Sequence, residues 1–495
     1  MPSLPNDPSL DHFRNQARAL QRAVRAGDRH ARELLINHHP APPAELDDLP
    51  LSAAQLAVAR GHGFASWPKL RHYLDQAAEL TRNPTVDPDP SLTDAGDLPD
   101  QFCRLACLVY SEVDDPARWA RARVLLAQHP RLVEGDIAAA AAAADPAAIA
   151  DHLAADPGAA NRLTGPHRWA PLLYLTYSRV HSSPRMDCAG EPAARFTDCA
   201  KALIAAGADV NAGYLWRGLP TPFTTLTGVF GEGEQGAGKQ PRHPHADGLA
   251  RLLLTGGADP NDGQALYNRM FRPDNSHLEL LFEFGLGRGD GGPWRRRLGD
   301  ATETPAQMLA RQVGWAIDHG FNDRLALLIE HQVDVLQPLA DGRTPAEHAV
   351  AAGRMPIIEL LREAGVEMPA LSAEQQLIAA LLAGDSQVAG AVAAADPATL
   401  AAIRRTEPDL VHRADSAAAV DLLAQLGFDL DSGSGGATAL HQAAFNGDVP
   451  LIKALLAAGA DPASRDATHE GTPLAWAEYG RQSDAVRVLA AVTPG

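Results

Sequence analysis

The stretch Gly436 to Asp466, GATALHQAAFNGDVPLIKALLAAGADPASRD, constrains the fold more than any other part of the chain. It reads as one complete helix–turn–helix unit. Thr438 is placed to cap a first helix, its hydroxyl oxygen accepting from a free backbone N–H. Small Ala443 and Ala444 make that helix thin, and Gly447 supplies the left-handed conformation that stops a helix. Asp448 is placed to cap a second helix, in which Leu451, Ile452, Leu455 and Leu456 recur at three- to four-residue spacing as one apolar stripe. Gly459 closes it, and Asp461-Pro462 turns the chain out. Such a hairpin cannot bury its stripe alone, so it requires neighbours.

The neighbours are present. Thr472-Pro473-Leu474-Ala475-Trp476-Ala477 restarts the pattern 34 residues after Thr438, and Thr344-Pro345-Ala346-Glu347-His348-Ala349 and Thr304-Pro305-Ala306 repeat it upstream. The closing turn recurs as Gly207-Ala208-Asp209-Val210-Asn211 and Gly257-Ala258-Asp259-Pro260-Asn261. A period of about 33 residues, with variants of T-P-L-H-x-A and G-A-D-x-N turns, resembles the ankyrin-repeat family. Thr438-Ala439-Leu440-His441-Gln442-Ala443 is the closest match. The resemblance implies an all-α fold: a curved solenoid of stacked helical hairpins, degenerate towards the N-terminal side. It also implies that His441 bonds to backbone between adjacent turns.

Length and charge narrow the function classes. At 495 residues the chain is long for one core, whereas a stack grows without enlarging one. The formal net charge of −18 argues against general binding to nucleic acid or anionic membranes, which needs clustered Lys and Arg. Only Lys69, Lys201, Lys239 and Lys453 are lysines among 43 basic residues, and with so much alanine this composition points to a GC-rich bacterial genome. The four cysteines form no C-x-x-C, and Cys103 and Cys107, one helical turn apart among apolar residues, read as buried thiols. No basic-plus-apolar leader and no long apolar run is visible, so a cytoplasmic location is expected.

Along the chain, residues 1–82 read as a helical N-terminal cap with degenerate units: Leu10 to Ala26 with Arg29 to Ile36, then Leu51 to Arg60 with Trp67 to Leu80. This opening, with Ala53 to Gly63 as a degenerate first helix and turn, is similar to the leader of a group of bacterial ankyrin proteins. Residues 83–100, rich in Pro, Asp and Thr, read as a linker. Residues 101–301 read as degenerate units with long insertions, and the alanine run Ala138 to Ala144 as a close-packing inner helix. Residues 302–495 read as regular units ending in a cap that presents Arg481, Asp484 and Arg487.

Insertions are where the sequence departs from scaffold economy. Nine of the 26 aromatics fall between Tyr214 and Asp300, and there basic and acidic residues balance at ten each. Aromatics with Arg provide rigid area and forked hydrogen bonds for recognition. The candidate binding residues are Tyr214, Trp216, Arg217, His243, His245, Tyr267, Arg269, Arg272, Trp294 and Arg295. Two explanations stand side by side: these residues contact a partner, or the aromatics merely anchor the insertions on the stack.

Several motif matches fail on context. Gly233 to Lys239 fits a phosphate loop up to its lysine, but Gln240 replaces the metal-binding Ser or Thr and Pro241 follows. Gly287 to Gly292 matches G-x-G-x-x-G without a strand–helix–strand unit. His243, His245 and Asp247 lack any metal-ligand spacing, and no nucleophile elbow or triad is recognisable, so no catalytic residue, metal or cofactor is assigned. The family resemblance implies a scaffold that binds a protein partner through its concave face and central loops. The alternative is a small-molecule-binding or catalytic pocket built by the 214–300 insertions.

Overall fold

The computed structural model describes residues 4–84, 98–180, 191–434, 436–468, 470–480 and 482–492. Most of the expected linker and Arg481 of the expected closing cap lie outside the described residues. The chain is mostly helical and divides into two compact units, Met1–Met308 and Leu309–Gly495. Among the described residues, strands form only a small three-stranded sheet and a two-stranded ladder.

In the Leu309–Gly495 unit the founding hairpin forms as its residues dictate. Thr438 accepts from His441 N–H and starts the Ala439–Asn446 helix, which Gly447 ends at φ 72°. Asp448 accepts from Leu451 N–H and starts Val449–Ala458, which Gly459 ends at φ 104°. Ile452 and Leu455 are buried, and Leu451 and Leu456 pack against the same core, which runs from Leu377 to Leu489. His441 is fully buried. Its Nδ1 accepts from Thr438 N–H at 3.1 Å, so Nε2 carries the proton donated to Gly471 O at 3.0 Å, one repeat further on. Burial holds its pKa below the usual histidine value, which keeps this tautomer neutral.

The Met1–Met308 unit uses the same join under longer connections. Asn161 donates to Gly207 O (2.7 Å) and accepts from Asp209 N–H (2.8 Å). Asn211 does the same with Gly257 O (3.1 Å) and Asp259 N–H (2.8 Å). Asn261 repeats it with Arg288 O (2.9 Å) and Gly287 N–H (2.8 Å). Each asparagine thus satisfies one carbonyl and one N–H of the next turn, whatever the length of chain between them.

The N-terminal helices are Leu10–Arg25, Arg29–His38, Leu51–Gly61 and Trp67–Leu80. Their apolar core, with Phe13, Val24, Ala57 and Leu70 at its centre, is continued by Leu215, Leu298 and Ala301. Thr81–Arg82 pairs parallel with Gly213–Trp216, which pairs antiparallel with Pro222–Thr224, Tyr214 opposite Phe223. Tyr73 Oη donates to Gly218 O at 2.5 Å. The segment expected to cap a stack end is therefore anchored on the central insertions, whose strand supplies both the apolar residue and the free sheet edge.

Ala138 to Ala144 are all buried, and the Ile137–Ala142 helix lies against Pro171–Tyr177 as the small side chains allow. The next close approach is between Pro171–Tyr177 and Thr225–Phe230. A Cβ at Gly228 would overlap the Tyr177 ring and lie 3.0 Å from Thr176 Oγ1. Gly228→Ala should improve helix propensity yet destabilise the unit by about 1–3 kcal/mol through overpacking, read as a lower urea midpoint.

Candidate functional site

The inner row of the Met1–Met308 unit is already covered. All seven residues of Pro171–Tyr177 and all six of Thr225–Phe230 are buried, which an open concave face would not allow. The covering material is this chain's own. Leu108 N–H donates to Tyr177 O at 2.8 Å and Arg179 N–H to Ala106 O at 2.8 Å, an antiparallel bridge along the end of the helix. Tyr110 then reaches across, donating to Thr227 O at 2.9 Å, with its ring edge-on to Phe223 at 5.0 Å. Asp114 shapes this loop by accepting from Val109 and Ser111 N–H at 3.1 and 3.0 Å.

Arg179 locks the arrangement from inside. Fully buried, it donates to the carbonyls of Thr176, Ser178, Gly228 and Pro241, joining two inner helices to the start of an insertion. Burial pulls its pKa down to about 10, so it remains charged at neutral pH.

Against this frame the sequence-derived candidates separate. Tyr214 is 1% exposed and stacks on Trp169 at 5.0 Å and Phe223 at 5.6 Å, so it anchors the hairpin in the core and presents nothing to a partner. Trp216 is half-buried beneath Arg217, whose guanidinium carbon lies 5.1 Å from its ring. His243 is buried edge-on against Phe196 at 4.5 Å, and its Nδ1 accepts from His245 N–H. Desolvation lowers the His245 pKa, and Asp247 pairs with Arg242 at 2.6 Å. Among the described residues no His, Cys, Asp and Glu group is arranged to hold a metal ion.

Arg269, 1% exposed, is spent internally on Glu232 and Asp274. Burial raises the Glu232 pKa, opposed by Arg269, Arg272 and Arg242. Tyr267 donates to Glu234 and lies edge-on to Phe271 at 5.2 Å, while Arg272 is exposed. The structure thus brings Tyr267, Arg269 and Arg272 together beside the 231–240 insertion. Trp294, donating to Asn211 O at 2.9 Å, and Arg295, donating to Thr302 O at 2.6 Å, belong elsewhere. Both line a shallow recess with Asp259, Asp262 and Met308.

In the Leu309–Gly495 unit the last inner helix leaves a large ring, Tyr479, exposed beside half-buried Phe445 and Trp476. Phe445 and Tyr479 each lie seven residues after their capping threonine, and their rings stack at 6.3 Å. Trp476 lies edge-on to Phe445 at 6.1 Å, and its Nε1 is held by Asp466 at 3.0 Å. Tyr479 is 62% exposed, an unusual position for so large a ring. Sequence reasoning missed this patch, although the shared offset from Thr438 and Thr472 could have shown it. In the same unit His348 Nε2 meets Asp318 at 2.6 Å, and Nδ1 meets Asp341 at 3.2 Å.

Residues 410–494 match the family model for ankyrin repeats, in three copies. This segment is built of ankyrin repeats. No curated protein matches it. Ankyrin repeats generally mediate protein–protein interaction, and the aromatic patch lies within the matched repeats. Among the described residues no helix is long and apolar enough to cross a membrane.

Two outcomes follow from these contacts. Arg269→Ala should cost about 3–5 kcal/mol by stranding buried Glu232, whereas exposed Arg272→Ala should stay within about 0.5 kcal/mol, both measured by denaturant unfolding. The Asp318 hydrogen bond raises the His348 pKa above its usual value. A raised folded-state pKa gives stability that is full below the unfolded pKa of about 6.5 and fades as pH rises through the folded value. His348→Gln should therefore lower the melting temperature more at acidic pH than at alkaline pH.

Proposed function

We propose that this chain is a non-catalytic scaffold that binds a protein partner on the inner helices of its Leu309–Gly495 unit. The observation that carries the reading is the exposed Tyr479 ring, stacked on half-buried Phe445 of the preceding repeat and flanked by half-buried Trp476. Rigid aromatic side chains give up little conformational freedom on binding and dominate interface energetics. The sealed inner helices of the other unit support the assignment, because Pro171–Tyr177 and Thr225–Phe230 have no face left to offer. At its surface, Tyr267, Phe271 and exposed Arg272 form a secondary edge of recognition character.

A second reading, a small-molecule pocket, is favoured by the recess that Trp294 and Arg295 share with Asp259 and Asp262. The first reading is preferred because Asp262 is occupied internally, accepting from Thr227 Oγ1 at 3.2 Å and from Ala265 N–H at 2.9 Å.

Phe445→Ala with Tyr479→Ala should leave the circular dichroism spectrum intact and abolish capture of a specific protein from native cell extract. Capture equal to that of the unaltered chain would remove this surface, while thermal stabilisation by a small molecule that Arg295→Ala abolishes would favour the pocket.

A further inference from the structure

We infer that the segment seated on the Phe445–Trp476–Tyr479 patch is a basic peptide, with a Lys or Arg side chain lying on the exposed Tyr479 ring. This rests on the scaffold reading and adds the chemistry of the partner. Two independent features of the unit converge on it.

The first is charge. Residues 309–495 hold 24 acidic and 12 basic residues, so this unit carries −12 of the −18. Several basic residues of the unit are already engaged internally, and the twofold excess of carboxylates persists beyond them. Arg324 is fully buried. Arg354 donates to the carbonyls of Arg413 and Asp318 and lies 4.0 Å from Asp415, and Arg413 donates to those of Ala351 and Ala352 and pairs with Glu407 at 3.5 Å. Arg487 is paired with Asp484, and Arg362 with Glu359. Near the patch, exposed Arg465 turns to Glu470 O, whereas Glu478, adjacent to Tyr479 on the same helix, is exposed.

The second is the form of the apolar surface. The exposed Tyr479 ring, backed by Phe445, favours a cation over an anion, because ring faces are the negative end of the quadrupole. Asp466 fixes the Trp476 indole through its N–H, leaving the ring itself as contact surface. The unit's net negative charge, with Glu478 beside Tyr479, draws a basic segment in by steering, and the exposed ring then holds it at short range. An acidic segment would meet repulsion across the same face.

The test is a random peptide array spanning acidic to basic compositions, probed with the full chain. Lys- and Arg-bearing peptides should be enriched. Binding of the best of them should fall at least about tenfold in Phe445→Ala/Tyr479→Ala, while Tyr479→Phe keeps it. Glu478→Gln should weaken it less, and raised salt should slow association. Enrichment of acidic or neutral peptides, absence of any enrichment, or binding untouched by the double variant would overturn the inference. Loss of native partner capture in the double variant, with an acidic or neutral captured segment, would overturn the basic-peptide inference and leave the scaffold reading standing. Unchanged capture would instead overturn the scaffold reading.

Discussion

Four joins between hairpins depend on side-chain hydrogen bonds that fasten one closing turn to the next. Asn161, Asn211 and Asn261 each pair with a carbonyl and an N–H of the following turn, and Asp431 accepts from Asp461 N–H at 2.9 Å in the other unit. A hairpin with one apolar stripe is stable only when both sides are occupied, and these bonds fix the register in which that happens. Because they act turn to turn, the chain between them is free to lengthen. That freedom is why the Met1–Met308 unit carries insertions of such different lengths without losing its stack.

Those insertions alter what the stack can do. In the Met1–Met308 unit the 107–114 loop, the Trp169 cluster and the strands around Tyr214 fill the space in front of the inner helices. Arg179, bonded only to carbonyls in its hydrogen bonds, makes the filling permanent. A buried guanidinium is costly unless its donors are satisfied, so removing any part of this arrangement strands several polar groups at once. Among the described residues of the Leu309–Gly495 unit no comparable filling covers Tyr479, which stays exposed. One repeat design thus yields a sealed unit and an open one.

The candidate residues show how far pattern reading goes. Aromatic and Arg enrichment between Tyr214 and Asp300 was visible, but composition cannot say which way a side chain turns. Tyr214 alternates into the core with Leu215 beside it, and Arg269 finds two carboxylates that lie 37 and 5 residues away in sequence. The anchoring explanation describes Tyr214 and Arg269, and the surface explanation remains for Arg272. Phe445 and Tyr479 went unnoticed because each alone is an ordinary helical residue, and only stacking of successive repeats makes them a pair.

By itself the sequence determined the repeat: the capping Thr438 and Asp448, the stopping Gly447 and Gly459, the stripe through Ile452 and Leu455, and the backbone bond of His441. These are local, set by propensity, capping and period within about 33 residues. Tertiary structure alone decided where the N-terminal helices are anchored, which inner helices are covered, and which aromatics stay exposed. Those outcomes depend on contacts between residues far apart in the chain, whose pairing is fixed by shape and hydrogen-bond satisfaction, and neither is written in a local pattern.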